Sequence, residues 1–295
     1  MITIATLLDG NALAKRVRIS VKKAAALLPS PPALAVIMIG NDEASQVYVT
    51  NKRKDCVKCG IVSHAHLLDA SAGQDQLLTL IQYLNARADI HGILVQMPLP
   101  NGYDAHEIVR AIAPEKDVDA FHPLTVGNFY LNGGREEGLL PCTPAGIIAM
   151  LDAYNIDPLG KHAVVVGQSN IVGKPMSIML TARGATVTSC HIHTQELPLH
   201  TRMADILICA VGKTGLITAD MVKPGAVVVD VGINRNKESI CGDVDFDAVA
   251  AVASHISPVP GGVGPMTRAM LMKNTLLAAQ MQQVEEWELN DGRKN

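Results

Sequence analysis

Three side chains close to residue 50 could act together on one ligand. Ser45, Tyr48 and Lys52 are separated by three and four positions. A helix predicted over residues 44–59 would place all three on one stripe of its surface. A lysine that is partly removed from water can lose its proton near neutral pH and act as a general base. The spacing alone favours an ordinary solvated lysine beside a half-buried tyrosine, so the interpretation as a base needs further residues.

A polar residue ends the predicted strand Gly92–Gln96, and two carboxylates lie in a later loop. Gln96 ends an aliphatic run, and two prolines shortly after it stop the chain from continuing as sheet. The carboxyl ends of parallel strands are where such sheets bind ligands, which makes Gln96 a candidate contact. Asp117 and Asp119 add two carboxylates in the loop PEKDVDAFHP. The alternatives are a glutamine that satisfies local backbone groups and acidic loop residues that are simply solvated.

A glycine-rich turn in the second half of the chain is typical of a nucleotide site. Gly167, Ser169 and Gly173, in VVVGQSNIVGKPMS, follow a predicted strand and open a predicted helix. Glycine lets the backbone approach a cofactor, and N–H groups at a helix start favour phosphate oxygens. The spacing is not GxGxxG, so a tight turn without a ligand is the alternative. Ile233, in DVGINR after another aliphatic strand, could contact the same cofactor.

The loop PVPGGVGPMT, residues 258–267, holds three prolines and three glycines immediately before a helix. Such a backbone is rigid in places and can approach a ligand closely. An ordinary connecting loop seldom needs this composition, so the loop is a further candidate for ligand contact.

Two cysteine groups are interpreted as structural. Cys56 and Cys59 lie near the end of a predicted helix, with no second pair of ligands to complete a metal site. Cys190 is followed by His191 and His193 at the end of a predicted strand. We therefore predict no metal site.

Length and composition set the framework that must position these residues. At 295 residues the chain exceeds the usual size of a single core, so two domains are expected. Hydrophobic residues make up 48% and aromatic residues 3%, which suits parallel sheets of aliphatic strands covered by helices. A formal net charge of -3 gives no electrostatic reason to expect nucleic acid or an anionic membrane as partner.

The sequence also favours a cytoplasmic location. Its first ten residues lack a basic segment followed by an apolar run, and no apolar stretch is long enough to span a bilayer. Its six cysteines are scattered through a chain of ordinary size, which is typical of a reducing compartment.

Strands and helices alternate in the order that gives parallel sheets with right-handed crossovers. We predict an N-terminal α/β domain at residues 1–138, completed by a final helix at about 268–295, and a Rossmann-type domain at residues 139–267. The boundary falls in a loop-rich stretch from Met97 to Cys142. The predicted strands are Ala33–Ile39, Ile61–Leu68, Gly92–Gln96, His162–Val166, Thr186–Cys190, Ile206–Ala210 and Ala226–Asp230.

Eight blocks of the chain resemble those of one enzyme family. The blocks are ASQVYVTNK, GILVQMPLP, PEKDVDAFHP, PCTPAG, VGQSNIVGKP, DVGINR, GDVDF and PVPGGVGPMT. In order and spacing they are similar to the bifunctional methylenetetrahydrofolate dehydrogenase/cyclohydrolase family, over nearly the whole chain. The resemblance implies two α/β domains, a substrate domain followed by a Rossmann-type NAD(P)-binding domain, with a cleft between them. It also implies tetrahydrofolate derivatives as substrates and a homodimer formed through the cofactor domain.

The resemblance implies roles for individual residues. Tyr48 would stack on the pterin-aminobenzoate part of the folate, Lys52 would be the catalytic lysine, and Gln96 would orient it. Asp119 would anchor the pterin ring. The further substrate contacts are Ser45, Pro260, Gly261, Gly262 and Val263, and the cofactor contacts are Gly167, Gln168, Ser169, Ile192 and Ile233.

These roles fit the chemistry of the two reactions. Removing a hydride from the methylene carbon between N5 and N10 gives a cation that the nitrogen lone pairs stabilise. No proton moves in that step, so alignment of the nicotinamide is the main requirement. Hydrolysis of the methenyl product to 10-formyltetrahydrofolate needs a base for the attacking water, and Lys52 tuned by Gln96 is the candidate.

Two departures from the family pattern concern the 2′-phosphate of the cofactor. Gln168 stands where arginine is common, and Ile192 where serine or arginine is usual. Neither side chain can replace that charge pairing, although His193 or Arg183 could compensate. We therefore expect NADP, with NAD as the alternative. Ala120 in place of glycine is a milder change beside the pterin.

Two other functions stay open on the sequence alone. One is a two-domain dehydrogenase of another small substrate, such as the shikimate type, which shares the order of the domains. It does not explain the set of Tyr48, Lys52, Gln96 and Asp119. The other is a folate-binding protein that keeps the site without turnover.

Overall fold

The computed structural model describes residues 5–135, 137–235 and 240–291. Its helices are α1 (Gly10–Ala25), α2 (Glu43–Cys59), α3 (Gln74–Asn85), α4 (Ala105–Ala111), α5 (Pro123–Leu131), α6 (Cys142–Ala153), α7 (Gly173–Ala182), α8 (Leu197–Thr201), α9 (Phe246–Ala250) and α10 (Val263–Asp291). Its strands are β1 (Thr6–Leu7), β2 (Ala33–Ile39), β3 (Val62–Leu68), β4 (Gly92–Val95), β5 (His162–Val166), β6 (Thr186–Cys190), β7 (Ile206–Cys209), β8 (Val227–Asp230), β9 (Asn234–Arg235), β10 (Ile240–Cys241) and β11 (His255–Ile256). None of the helices among these residues combines the length and the hydropathy that crossing a membrane requires.

The chain divides into two compact units, named here by their sheets. The three-stranded unit comprises residues 16–128, 137–140 and those from 268 onward. The six-stranded unit comprises the residues up to 15, together with 129–135 and 141–267. The domain bounds at residues 138 and 267 stay a prediction beside this division.

The three-stranded unit is built on a parallel sheet in the order β3-β2-β4. All seven residues of β2 are buried, because its run ALAVIMI is aliphatic throughout. Helix α3 contributes Leu77, Ile81 and Leu84, which are spaced to face one side and are buried in the same core. Parallel pairing brings the carboxyl ends of the strands to one edge, and Gln96 follows β4 there.

Helix α2 is capped at both ends and is also held by a contact at Asp55. Asp42 caps its start by accepting a hydrogen bond from the Ser45 backbone N–H at 2.8 Å. Gly60 ends it in the left-handed conformation, with φ 72°. The buried Asp55 carboxylate accepts from Nε of Arg268, on α10, at 2.8 Å. These contacts hold in place the helix that carries Lys52.

The six-stranded unit is built on a parallel sheet in the order β1-β11-β8-β7-β5-β6. Strands β7 and β8 are buried throughout, as aliphatic central strands of a parallel sheet should be. The chain passes from β5 outward to β6 and then returns to β7 on the other side of β5. Doubly wound sheets bind their ligands at such a reversal of strand order, so the turns after β5 and β7 are the expected ligand edge.

The predicted α/β fold is confirmed. Ala33–Ile39, His162–Val166 and Thr186–Cys190 are strands with the predicted bounds. Helices α4 and α5 form within the loop-rich stretch of residues 97–142, and the sequence analysis does not predict them. The sequence pattern also does not predict β1 and β11, since a strand of two residues is too short to show a periodic pattern.

Candidate active site

The predicted catalytic lysine and glutamine are hydrogen-bonded to each other. Lys52, on α2, donates from Nζ to Oε1 of Gln96 at 2.9 Å. The amide oxygen faces the lysine because the Nε2 of Gln96 donates to the backbone oxygen of Met97 at 2.6 Å. The Gln96 backbone N–H donates to the oxygen of Ile37 at 2.8 Å, which anchors the residue to β2. Both side chains are half-buried, so the amine has a fixed position partly out of water.

Asp119 supplies a carboxyl group beside this pair. Burial raises its pKa from 3.8 to about 6, while the nearby Lys52 lowers it and the charge of Asp117 raises it. The charge of Lys52 is near enough to the Asp119 carboxylate to lower its pKa. A pKa of about 6 leaves Asp119 mostly ionised at neutral pH.

The loop that presents Asp119 is shaped by its own hydrogen bonds. Asp117 is 2% exposed and accepts a hydrogen bond from the His122 backbone N–H at 2.7 Å. A parallel bridge pairs Asp117 with Ile93, which aligns the loop with β4. Ala120 adopts a φ of 60°, a left-handed conformation that explains why the family pattern has glycine there. Asp119 thus projects from a turn that is tied to the strand leading to Gln96.

Two further predicted residues lie on the same helix as the lysine. Tyr48 is half-buried one turn before Lys52, and Ser45 is buried two turns before it. The three-stranded unit therefore brings together Lys52, Gln96 and Asp119 and adds Ser45 and Tyr48 along α2. The group offers an acceptor carboxylate, an aromatic face and an amine that can exchange a proton with water.

The six-stranded unit holds the predicted nucleotide turn. Gly167 follows β5 with φ 104°, and a Cβ there would lie 2.1 Å from the backbone oxygen of Ala210. Gly173 opens α7, and a Cβ there would lie 1.8 Å from the oxygen of Gly167. Between them, Oγ of Ser169 accepts from the Val172 backbone N–H at 3.2 Å. The turn is packed so closely that only glycine fits at both positions, and the start of α7 supplies N–H groups that favour phosphate.

The positions expected around the adenosine end of the cofactor carry little charge. Nε2 of Gln168 donates to a backbone oxygen of β5 at 3.4 Å, and Ile192 is 93% exposed. Arg183 forms two hydrogen bonds with the Asp152 carboxylate, at 2.8 and 3.0 Å. The Arg183 guanidinium is therefore already engaged and is a weak candidate for binding a 2′-phosphate. Ile233 is 48% exposed after β8, as a residue that contacts a ligand could be.

The loop at residues 258–265 is fixed against the start of α1. The Asn11 backbone N–H donates to the oxygen of Gly261 at 3.1 Å, and the Gly262 N–H donates to that of Pro258 at 2.8 Å. Gly261 has φ 114°, and a Cβ at Gly262 would lie 2.7 Å from the same Pro258 oxygen. The predicted contact of Pro260–Val263 with folate stays a prediction.

The cysteines interpreted as structural have thiols of low reactivity. Burial raises the pKa of Cys56 to about 12 and that of Cys59 to about 11, so both thiols stay protonated at neutral pH. Burial also raises the pKa of Cys190. Within the described part of the chain, no cluster of three or more His, Cys, Asp or Glu side chains could hold a metal ion.

Two buried carboxylates of the six-stranded unit are not among the residues that the sequence predicts to be functional. Asp243 is 0% exposed and Asp230 is 3% exposed. The block GDVDF contains Asp243 and is the signal that could have drawn attention to it.

Comparison with known proteins identifies the family. The model of the tetrahydrofolate dehydrogenase/cyclohydrolase catalytic domain matches residues 8–119, and that of the family's NAD(P)-binding domain matches residues 141–283. The chain belongs to the tetrahydrofolate dehydrogenase/cyclohydrolase family. It is a bifunctional enzyme of one-carbon folate metabolism with an NAD(P)-binding domain.

Individual relatives in the tetrahydrofolate dehydrogenase/cyclohydrolase family match over almost the full length. The bifunctional protein FolD of Paracidovorax citrulli is 52% identical over 280 residues, which are 94% of this chain and 98% of that protein. The FolD structure of Campylobacter jejuni has a TM-score of 0.91 at 50% identity, covering 94% of this chain and 99% of that one. The Trypanosoma brucei FolD structure, complexed with NADP and an inhibitor, has a TM-score of 0.90 at 35% identity, covering 94% and 98%. The predicted dehydrogenase and cyclohydrolase activities are thereby confirmed.

The shikimate alternative has only a distant likeness. Shikimate dehydrogenase of Aquifex aeolicus has a TM-score of 0.52 at 11% identity, covering 87% of this chain and 99% of that one. A likeness at that identity shows a shared fold and nothing about the substrate.

Proposed function

We propose that this enzyme oxidises 5,10-methylenetetrahydrofolate with NADP and hydrolyses the methenyl product to 10-formyltetrahydrofolate, with Lys52 as the base of the hydrolysis. The observation that carries the assignment is the 2.9 Å hydrogen bond from Nζ of Lys52 to Oε1 of Gln96. The Asp119 carboxylate beside the same amine supports it. The two activities belong to the family, and the residue roles are our inference.

Asp119 and Tyr48 hold the pterin in this proposal. The pterin ring presents a row of N–H groups at its pyrimidine edge, and an ionised carboxylate accepts hydrogen bonds from such groups. Asp119 is mostly in that form at neutral pH, since its pKa is about 6. Tyr48, on the same stripe of α2 as Lys52, offers an aromatic face for stacking.

Oxidation depends on binding and alignment. The methylene carbon gives up a hydride with its electron pair, and the neighbouring nitrogen lone pairs stabilise the cation that is left. Bound NADP would supply the hydride acceptor. The contribution of the chain is the turn from Gly167 to Gly173 and the start of α7, which would hold the cofactor's phosphates.

Hydrolysis needs a proton acceptor. Water adds to the methenyl carbon and loses one proton to the base, which leaves a hydroxyl adduct. The bond from that carbon to N5 then opens as the remaining hydroxyl proton is lost and the formyl C=O forms, and N5 takes up a proton. The neutral amine of Lys52 accepts the proton from the attacking water. Gln96 orients that amine through its hydrogen bond to Nζ. Gln96 can do so because its own amide is held by Met97.

NADP is the proposed cofactor. The NAD(P)-binding domain of the family matches residues 141–283, and the related Trypanosoma brucei structure contains NADP. Gln168 and Ile192 bring no positive charge to a 2′-phosphate. The proposal therefore expects only a modest preference for NADP over NAD.

Assembly and location complete the proposal. We expect a homodimer formed through the Rossmann-type domain, as the family resemblance implies. A cytoplasmic location is supported by six cysteines that are all free thiols. We also propose that the domains comprise residues 1–138 and 139–267, with the final helix completing the first domain.

The test uses the purified protein and both cofactors. Methylenetetrahydrofolate is supplied with NADP or NAD at matched concentrations, and the formation of methenyl- and then 10-formyltetrahydrofolate is followed. The proposal expects both products and a higher initial rate with NADP. Folate binding without either product would favour the alternative of a binding protein, and equal rates would contradict the cofactor preference.

A further inference from the structure

The carboxylate of Asp243 collects hydrogen bonds from two separate segments of the six-stranded unit. Its Oδ2 accepts from the backbone N–H groups of Val211 and Gly212, at 2.7 and 3.0 Å. Its Oδ1 accepts from the backbone N–H of Lys213 at 2.8 Å and from Nδ2 of Asn234 at 2.9 Å. Among the residues that the structure describes, these four donors are uncharged N–H groups, three of them backbone, so the carboxylate orders the backbone here.

These segments form the ligand edge of the sheet. Val211 to Lys213 lie in the turn after β7, and Asn234, the first residue of β9, comes immediately after Ile233, a predicted cofactor contact. The oxygen of Ala210, one residue earlier, is the atom against which the Gly167 turn packs. Asp243 thus joins the turn after β7 to the turn after β8. The turn after β7 in turn packs against the predicted nucleotide turn after β5.

Asp243 is itself held by a second buried carboxylate. Oδ1 of Asp230 accepts from the Asp243 backbone N–H at 2.9 Å, and Oδ2 accepts from that of Val244 at 3.0 Å. The two glycines of this corner leave room for both side chains. A Cβ at Gly232 would lie 2.2 Å from Oδ1 of Asp243, and one at Gly242 would lie 1.8 Å from Oδ2 of Asp230.

This arrangement has a specific consequence for the cofactor. Segments at the carboxyl edge of a doubly wound sheet touch a dinucleotide mainly through backbone, so their precise path sets the fit. A buried carboxylate with four donors fixes that path, because leaving several buried N–H groups unpaired is costly. Loss of the carboxylate would free the turns after β7 and β8.

We propose that Asp243 is a positioning residue for the dinucleotide, which acts on cofactor affinity through the turns at 211–213 and 233–234. The inference rests on the proposed function, because it concerns the cofactor of the oxidation. It leaves the hydrolysis untouched, since Lys52, Gln96 and Asp119 belong to the three-stranded unit.

The two activities of one chain give an internal control. Asp243→Asn keeps the shape of the side chain but replaces one acceptor oxygen with a donor group facing other donors. We expect the NADP KM and Kd to rise about tenfold or more, which corresponds to the loss of one or two hydrogen bonds. The hydrolysis of supplied methenyltetrahydrofolate should stay within about twofold of the unaltered enzyme, as no contact of the lysine site changes.

Asp245→Asn is the matched control. Asp245 lies two residues further on, is exposed, and caps α9 by accepting from the Ala248 N–H. Asparagine caps a helix as well as aspartate does, so this variant should leave both activities unchanged. A second variant, Asn234→Ala, removes one donor while Asp243 keeps its three backbone bonds. It should raise the NADP KM about threefold, again without changing the hydrolysis.

Three results would separate the possibilities. NADP-dependent oxidation by the unaltered protein is measured first, and its absence would count against the proposed function itself. In an active enzyme, an unchanged NADP KM in Asp243→Asn would overturn the inference. A parallel fall of oxidation and hydrolysis in that variant would overturn it as well, because it would show a general role in folding.

Discussion

The folate KM should depend on pH through Asp119. The proposed contact requires the ionised carboxylate, and burial places its pKa at about 6. At pH 7 about nine-tenths of the molecules carry the charge, whereas at pH 5 only about one-tenth do. Since the protonated form loses the negative charge and turns one acceptor oxygen into a donor, the KM for methylenetetrahydrofolate should rise about tenfold between pH 7 and pH 5 and level off above pH 7.

The assay measures initial rates of oxidation at saturating NADP between pH 5 and 8 and constant ionic strength. Asp119→Asn is the control, because an amide of the same shape has no charge to lose. Its KM should be high at every pH and should change little across the range. Any slope left in this variant comes from the folate or the buffer and is subtracted. A flat KM in the unaltered enzyme, or the same tenfold rise in Asp119→Asn, would refute the role of the carboxylate.

Three further predictions concern other positions. Gln96→Leu removes the acceptor of Lys52 and should lower the hydrolysis rate about tenfold or more, with a smaller effect on oxidation; an equal loss of both would argue that Gln96 only supports the fold. Gln168→Arg adds a cation where a 2′-phosphate is expected and should lower the KM for NADP about tenfold without changing that for NAD. Equal changes for both cofactors would place the 2′-phosphate elsewhere. Glu196 adopts a φ of 50° at an exposed position, so Glu196→Gly should raise the free energy of unfolding by about 0.5–1 kcal/mol, measured by chemical denaturation. A loss of stability would contradict that reasoning.

Many strands of both sheets could be predicted because each shows a pattern in its own consecutive residues. ALAVIMI and HAVVV are continuous aliphatic runs bounded by turn residues, and the structure makes them β2 and β5. The short helix α5 could not be predicted in the same way, since PLTVGNFYL has only nine residues and holds a glycine in its middle. Strand β1 is only two residues long, and its place depends on pairing with β11 near the other end of the chain.

Less of the candidate site than of the fold could be predicted from residue spacing alone. Lys52 and Gln96 are 44 positions apart, and no spacing rule joins them, so their pairing followed from the family resemblance. The raised pKa of Asp119 depends on burial in the folded loop and has no local signature. Asp243 illustrates a further limit. Most of its partners are backbone N–H groups, which any residue type can supply, so the sequence around them shows no pattern.

The most direct test of the account is the hydrolysis rate of a Lys52 variant. Lys52→Met and Lys52→Gln both remove the amine, and methenyltetrahydrofolate is supplied directly so that the measurement does not depend on the oxidation. We expect hydrolysis to fall to the uncatalysed rate in both variants, while NADP binding, which belongs to the six-stranded unit, is retained. Hydrolysis that continues at the rate of the unaltered enzyme would contradict the assignment of Lys52 as the base.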